Sequence, residues 1–308
     1  MPADYSVRTS GDLIADRRFA YAEGAMAEGD LVAARDLFTQ VIEVVPGWPP
    51  AHFQLAKAEA ALGDRAAACA ALDACLRLDP TDRLGAGLLL AQHAGGLPAA
   101  SAMPDAYVAA LFDEYAPRFD DHLTRTLEYR APGVLRDVLD RHGKGSRQYE
   151  MFLDLGCGSG LMARALAGRF ARAVGVDISA GMLREAEATG LYDRLECASL
   201  ATFLDRTTRE AFDLAAAADV FCYVPELEPV FAGTARVLKR EGLLAFTVQT
   251  HEGEGAIIGA DARVHHAPEL VRTLAATVGF RVLHAESVST RKDRGVPVPG
   301  AAFLLAKS

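Results

Sequence analysis

Residues 152–166 read FLDLGCGSGLMARAL, and the parsing of that stretch decides the fold. Apolar residues broken by one acid, Asp154, run into a turn with glycine at Gly156, Gly158 and Gly160, and an amphipathic segment follows. Glycine placed between a strand and a helix lets the backbone bend sharply and lets a ligand approach with no Cβ in the way. Outward from the turn, short apolar runs alternate with helical patterns. Strands are predicted over 150–155, 172–177, 194–198, 212–219, 242–249, 280–288 and 300–306, and helices over 160–169, 180–188, 227–238 and 267–277. That alternation predicts an α/β fold with a doubly wound, mostly parallel, seven-stranded sheet, whose ligands bind at the carboxyl ends of the strands.

The rest of the chain bounds the answer. Its 308 residues suit two domains, and 51% hydrophobic with 24% charged residues describes a globular protein. The net charge is −9, and residues 1–103 hold 13 acidic against 8 basic residues. No basic run follows a phosphate backbone, so neither nucleic acid nor an anionic membrane is an expected partner. The five cysteines (Cys69, Cys75, Cys157, Cys197 and Cys222) are scattered and form no CxxC pair. They read as buried reduced thiols, no metal constellation is expected, and the location expected is cytoplasmic. The first 18 residues are charged and lack the apolar run of a signal peptide. Residues 84–104 are uncharged but carry Gln92, His93, Gly95, Gly96 and Pro98, the composition of a helix followed by a linker.

The first hundred residues repeat. Gly29-Asp30 and Gly63-Asp64 lie 34 residues apart, and in the same register Ala34 meets Ala68, Phe38 meets Leu72 and Pro46 meets Pro80. A small residue lets two helices approach, a large one fills the next groove, and the proline closes the second helix. The Gly-Asp pair stands where one helix stops and the next starts. The pattern resembles the tetratricopeptide repeat, in two copies at about 15–48 and 49–82 with a further helix at 83–94. Such arrays often bind peptides or partner subunits. A protein partner or a homodimer is therefore possible, and so is a purely structural covering role.

Two ligand classes use the glycine turn. The dinucleotide fingerprint wants Gly or Ala in its third slot, where this chain has Leu161. The run from Asp154 through Gly156, Gly158 and Gly160 instead resembles the first motif of class I methyltransferases. Asp177 ends the next strand, where an acid can accept both ribose hydroxyls of an adenosine ligand. The resemblance implies a Rossmann-like fold with S-adenosyl-L-methionine as cofactor, Ile178 and Met182 near adenine, and Ser199 and Leu200 on the adenine side after the third strand. "YVAALFDEYAPRFDDHL" (107–123), "EYRAPGVL" (128–135) and "RKDRGVPVPG" (291–300) resemble a bacterial group that joins tetratricopeptide repeats to a methyltransferase. That group supplies fold and cofactor but no acceptor. Two departures stand out. Ser199 occupies a place often held by Asp, and Arg263-Val264-His265-His266-Ala267 replaces an expected Arg-Tyr-Ala-His-Ser.

The domain organisation expected is a repeat domain over 1–94, a linker over 95–106 and a methyltransferase domain over 107–308. In the last, 107–145 forms a helical lid and 150–308 the sheet core. Tyr115 is the lid's candidate for a hydroxyl near the methionyl end of the cofactor. Catalytic candidates are His251, His266 (with its neighbour His265) and Tyr223, placed by sequence after strands or before a helix, where a base could act near neutral pH. The function expected is in-line methyl transfer to a small-molecule acceptor, with the repeats covering the site or mediating oligomerisation. One alternative has the repeats present a protein or carrier-bound substrate. Another makes the chain a non-catalytic scaffold with a degenerate methyltransferase fold.

Overall fold

The computed structural model describes residues 9–94, 103–116, 119, 129–143, 148–259, 261–293 and 295–308. Most of the expected linker and much of the expected lid (117–118, 120–128 and 144–145) lie outside the described residues. The chain divides into two compact units, Met1–Tyr107 and Val108–Ser308.

In the first unit, α1 (Leu13–Glu28), α2 (Leu31–Val44), α3 (Pro49–Leu62), α4 (Arg65–Leu78) and α5 (Ala86–Ala94) follow one another, and each packs on the next through α5. The repeated Gly-Asp pairs act as both stop and start. Gly29 and Gly63 close α1 and α3 at φ 84° and 87°, in the left-handed region that costs glycine least. Asp30 and Asp64 then cap α2 and α4, each carboxylate accepting the N–H of the third residue of its helix, Ala33 and Ala67. Ala34, Ala68, Phe38 and Leu72 are all fully buried, so the small and large positions of the repeat sit at the helix contacts. α5 begins later than position 83 because Asp82 accepts the N–H groups of Ala86 and Gly87 and fixes its first turn.

The second unit begins within α6 (Asp105–Tyr115) and continues with α7 (Ala131–His142), β1 (Tyr149–Leu155), α8 (Leu161–Ala165), β2 (Phe170–Asp177), α9 (Ala180–Glu187), β3 (Arg194–Cys197) and α10 (Leu200–Arg206). Then come β4 (Phe212–Ala217), a 3-10 turn at Phe221–Tyr223, α11 (Leu227–Val237), β5 (Leu238–Gln249), β6 (Ala256–Ile258), β7 (Val264–His266) and α12 (Pro268–Thr277). The unit ends with β8 (Phe280–Ser287), the short hairpin β9 (Lys292–Asp293) and β10 (Val296–Pro297), and β11 (Gly300–Lys307). Seven strands lie in the order β3-β2-β1-β4-β5-β11-β8. The first five are parallel, and β11 runs antiparallel between β5 and β8.

Successive residues of each central strand feed opposite cores, which is why these strands read as unbroken apolar runs. Leu153, Ala215, Leu244 and Phe246 join one core with Phe203, Phe231 and Val271 of α10–α12. Phe152, Leu214 and Ala245 join the other with Leu135, Leu139 and Met162 of α7 and α8. Two features depart from the sequence reading. α10 was not foreseen, because seven residues show too little of a helical period. The β6–β7 hairpin, which pairs β7 onto β5, adds two short strands to the seven.

Candidate functional site

The glycine turn joins β1 to α8. Gly156, Gly158 and Gly160 have φ of 66°, 52° and 88°, a region in which any residue with a Cβ is strained. Space is short as well. A Cβ on Gly156 would lie 2.7 Å from Val220, and one on Gly160 would lie 3.1 Å from Thr189. A Cβ on Gly158 would point toward the Phe119 ring at 3.9 Å. The glycines thus bring the turn against the exit of β4 on one side and set its Gly158 face under the Phe119 ring.

Two acids lie under the turn. Asp177, at the tip of β2, accepts the Gly158 N–H on Oδ2 and the Ser179 N–H on Oδ1, both at 2.8 Å. Asp154, 1% exposed in β1, accepts the Tyr192 hydroxyl on Oδ2 at 2.6 Å. Burial raises both carboxyls above the usual range. Asp154 is lifted to about 7 despite the Tyr192 hydrogen bond, with the Asp177 charge adding to the rise. The site is therefore short of positive charge.

Ile178 and Met182 sit beside Asp177. Ile178 is partly exposed, whereas Met182 is fully buried inside α9. The Ser199 hydroxyl caps α10, accepting the Thr202 N–H, and Leu200 opens that helix. The Ser199 side chain thus already has a structural bond at the place where Asp is often found.

α6 approaches from above. Asp113 Oδ1 accepts the Ser179 hydroxyl at 2.6 Å and the Gly181 N–H at 2.8 Å, so one carboxylate holds α6 to the start of α9. Gly181 makes this possible, since a Cβ there would lie 3.1 Å from both Ala116 and Asp113. The Tyr115 ring meets Phe119 edge-on at 5.3 Å, and Phe112 meets both Phe119 and Tyr223. Sequence reading missed Asp113 and Tyr192. Each acts on a partner dozens of residues away, and spacing carries no trace of such a contact.

Beyond β4 lies a second cluster. Asp219 has φ 58°, and the hydroxyls of Thr247 and Thr290 donate to its Oδ1 at 3.3 and 2.9 Å. Arg291, 6% exposed, holds Asp261 at 3.2 Å and stands 3.8 Å from Asp219. The Gln249 amide, oriented to satisfy both its ends, donates to Asp261 at 3.0 Å and accepts from Arg291 at 2.7 Å. His265 faces two acceptors, Asp261 Oδ1 at 3.0 Å and Thr250 O at 3.3 Å. The Asp261 hydrogen bond raises the His265 pKa, and burial opposes the rise.

The candidate bases fall into different surroundings. His266 does not lie on a loop. It is in β7, fully buried, and its Nε2–H donates to Phe221 O at 3.0 Å. Burial lowers its pKa to about 4, and the imidazole ties β7 to the 3-10 turn as a neutral strut. His251 is folded into its own loop, Nδ1 accepting the Gly253 N–H and Nε2 facing Gly255 O. Tyr223 is half-buried in the 3-10 turn, its phenol pushed upward chiefly by burial. The Cys222 thiol is raised to about 12 by burial and stays protonated.

A strand–glycine turn–helix set over an acid at the tip of the second strand, in a sheet with its last strand inserted antiparallel, defines a class I methyltransferase domain. Its expected cofactor is S-adenosylmethionine. Each Asp177 oxygen keeps a lone pair beyond its backbone bond for a ribose hydroxyl, and the turn offers backbone without side chains at three positions, so these residues fit that group. The comparisons agree: residues 153–246 match the family model described as a methyltransferase domain, and residues 25–92 match a tetratricopeptide repeat. The chain carries both. Methyltransferase-like protein 27 of Homo sapiens is 40% identical over 121 residues, 36% of this chain and 49% of that protein. A ubiquinone biosynthesis O-methyltransferase of Idiomarina loihiensis is 27% identical over 117 residues, covering 37% and 48%. The chain thus spans about half the length of these curated relatives. The Burkholderia thailandensis 1,6-didemethyltoxoflavin-N1-methyltransferase, solved with its namesake ligand and S-adenosylhomocysteine, shares the fold. It has TM-score 0.51 at 16% identity, covering 66% of this chain and 89% of that one. Among the described residues, no group of His, Cys, Asp and Glu is placed to hold a metal, and no helix is long and apolar enough to cross a membrane.

Proposed function

We propose that this protein transfers the methyl group of S-adenosylmethionine to a small-molecule acceptor by in-line displacement. The observation that carries the reading is the left-handed glycine turn closed over Asp177 at the carboxyl ends of β1 and β2. S-adenosylmethionine, when bound, supplies a methyl already activated on a sulfonium. The protein's part is then to bind, orient and exclude water. Asp177 would receive the ribose hydroxyls, Ile178 and the Ser199–Leu200 backbone the adenine, and the glycine turn the methionyl portion. Asp154 would place negative charge near a cationic ligand. Tyr115 and Phe119 would cover the turn. Tyr223 would line the acceptor side and His251 stand at its rim, with His266 acting only as a strut.

Two of the compared proteins are named for methylation in ubiquinone biosynthesis and of 1,6-didemethyltoxoflavin, which supports a small acceptor. We also assign 1–94 to the repeat domain, 95–106 to the linker, 107–145 to the lid and 150–308 to the catalytic core. A cytoplasmic location fits the charge and cysteine pattern. The repeats would serve a protein partner or a second copy of the chain.

The test is calorimetric titration of S-adenosylmethionine and S-adenosylhomocysteine into the wild type and Asp177→Ala. Binding that the substitution weakens is expected. Absence of binding by folded protein at millimolar ligand would defeat the proposal.

A further inference from the structure

Two arginines stand at the β4–β5 side of the second unit, and they are treated differently. Arg291 is matched with charge, holding Asp261 and lying beside Asp219. Arg263, on the β6–β7 hairpin, is half-buried, and no carboxylate among the described residues comes within ion-pairing distance of it. Its Cζ stands over the Tyr223 ring, 4.8 Å from the centroid, and one nitrogen reaches only the Cys222 sulfur, at 3.8 Å. A thiol is a weak acceptor and a ring face offers no lone pair. Most of the five N–H donors of this permanently charged group thus have no protein acceptor among the described residues, and none of its nitrogens is sealed away without a partner, so they stand open to an arriving anion. The nearby acids do not serve, because Asp261 is bonded by His265, Gln249 and Arg291, while Asp219 is held by two threonines.

Contacts locate this donor set relative to the turn. Tyr223 closes the 3-10 turn that begins after Val220, and Val220 packs against Gly156. Arg263 also connects to the turn through rings: Tyr223 meets Phe112, and Phe112 meets Phe119, which faces Gly158. Arg263 lies toward β5, whereas Asp177 lies on the opposite side, toward β3.

We propose that Arg263 is the seat for a carboxylate carried by the methyl acceptor, which the guanidinium fork binds while Tyr223 packs against the acceptor's apolar body. This rests on the methyl-transfer reading. It assigns a substrate class, small organic acids, to the acceptor side. A planar fork matches a carboxylate through two parallel N–H···O bonds, which a carboxamide cannot reproduce.

The experiment uses the full chain saturated with S-adenosylhomocysteine. Ligand-observed NMR compares benzoate with benzamide and phenylacetate with phenylacetamide at millimolar concentration. At least one acid is expected to bind about tenfold or more tighter than its amide. Arg263→Gln is expected to erase that preference, and Arg263→Lys to keep part of it, while affinity for S-adenosylhomocysteine is unchanged in both. Arg263→Lys retains the charge and the stem, so it carries the test if the glutamine variant does not fold. The assignment is overturned if neither acid is preferred by the wild type, or if the preference survives in Arg263→Gln. It is equally overturned if the variants lose S-adenosylhomocysteine instead, since Arg263 would then hold the cofactor's own carboxylate. Failure of the wild type to bind S-adenosylhomocysteine would strike the methyl-transfer reading, and the acid–amide comparison, repeated without it, would still judge Arg263.

Discussion

Asp154 is expected to make cofactor affinity depend on pH. An exposed aspartate titrates near 4, whereas burial lifts this one to about 7. The folded protein therefore binds a proton here that the unfolded chain releases. This contribution to stability is present below about pH 4 and is lost as pH rises to about 7, a change on the order of 4 kcal/mol. A bound sulfonium and ammonium would favour the charged carboxylate and draw its pKa down. If the pKa falls to about 5 in the complex, affinity for S-adenosylmethionine should rise about tenfold from pH 6 to pH 8. S-adenosylhomocysteine lacks the sulfonium and should show a shallower slope. Calorimetry in buffers of different ionisation enthalpy reads both the slope and the proton released near pH 7. Asp154→Asn should bind with little pH dependence and lose no stability at pH 8. A flat profile in the wild type, or an unchanged slope in Asp154→Asn, would refute the placement of this carboxyl beside the cofactor's charge.

Other outcomes follow from single contacts. Gly160→Ala forces a Cβ into φ 88° and to within 3.1 Å of Thr189; a loss of about 1–2 kcal/mol by chemical denaturation is expected, with weaker cofactor binding. Asp113→Ala removes the acceptor for Ser179 and Gly181, so hydrogen exchange over 105–115 should accelerate and stability fall by about 1–2 kcal/mol. Asp261→Asn takes away the bond that raises His265. The His265 titration followed by NMR should drop toward its ordinary value. The stability from this pair, present below the unfolded-state pKa and lost as pH rises through the folded one, should disappear with it.

What the sequence made legible was whatever repeats or keeps a fixed local spacing. Gly29-Asp30 and Gly63-Asp64 could be read as stop and start because both partners are adjacent in the chain. The turn at Gly156–Gly160 could be read because three left-handed residues within five positions favour glycine by their own backbone geometry. The parallel strands were visible because two-sided burial writes continuous apolar runs. The polar partners were hidden. Asp113 reaches Ser179, Tyr192 reaches Asp154, and Arg291 gathers Asp219 and Asp261, each across a distance that only the fold closes. His266 shows the opposite failure. Its position before a helix read as an open loop, but β7 pairs with β5 there and buries the ring.

The insertion of β11 between β5 and β8 governs how the protein can be made. Among the described residues β8 pairs in the sheet only with β11, which is synthesised after it. A nascent chain that has reached Ser287 carries β5 with an open margin and β8 with nothing to pair to, both rich in apolar residues. Until Gly300–Lys307 has been synthesised, the second unit offers two sticky edges to any neighbouring chain. Stalled or clipped products lacking those eight residues are thus expected to be substrates for chaperones and proteases.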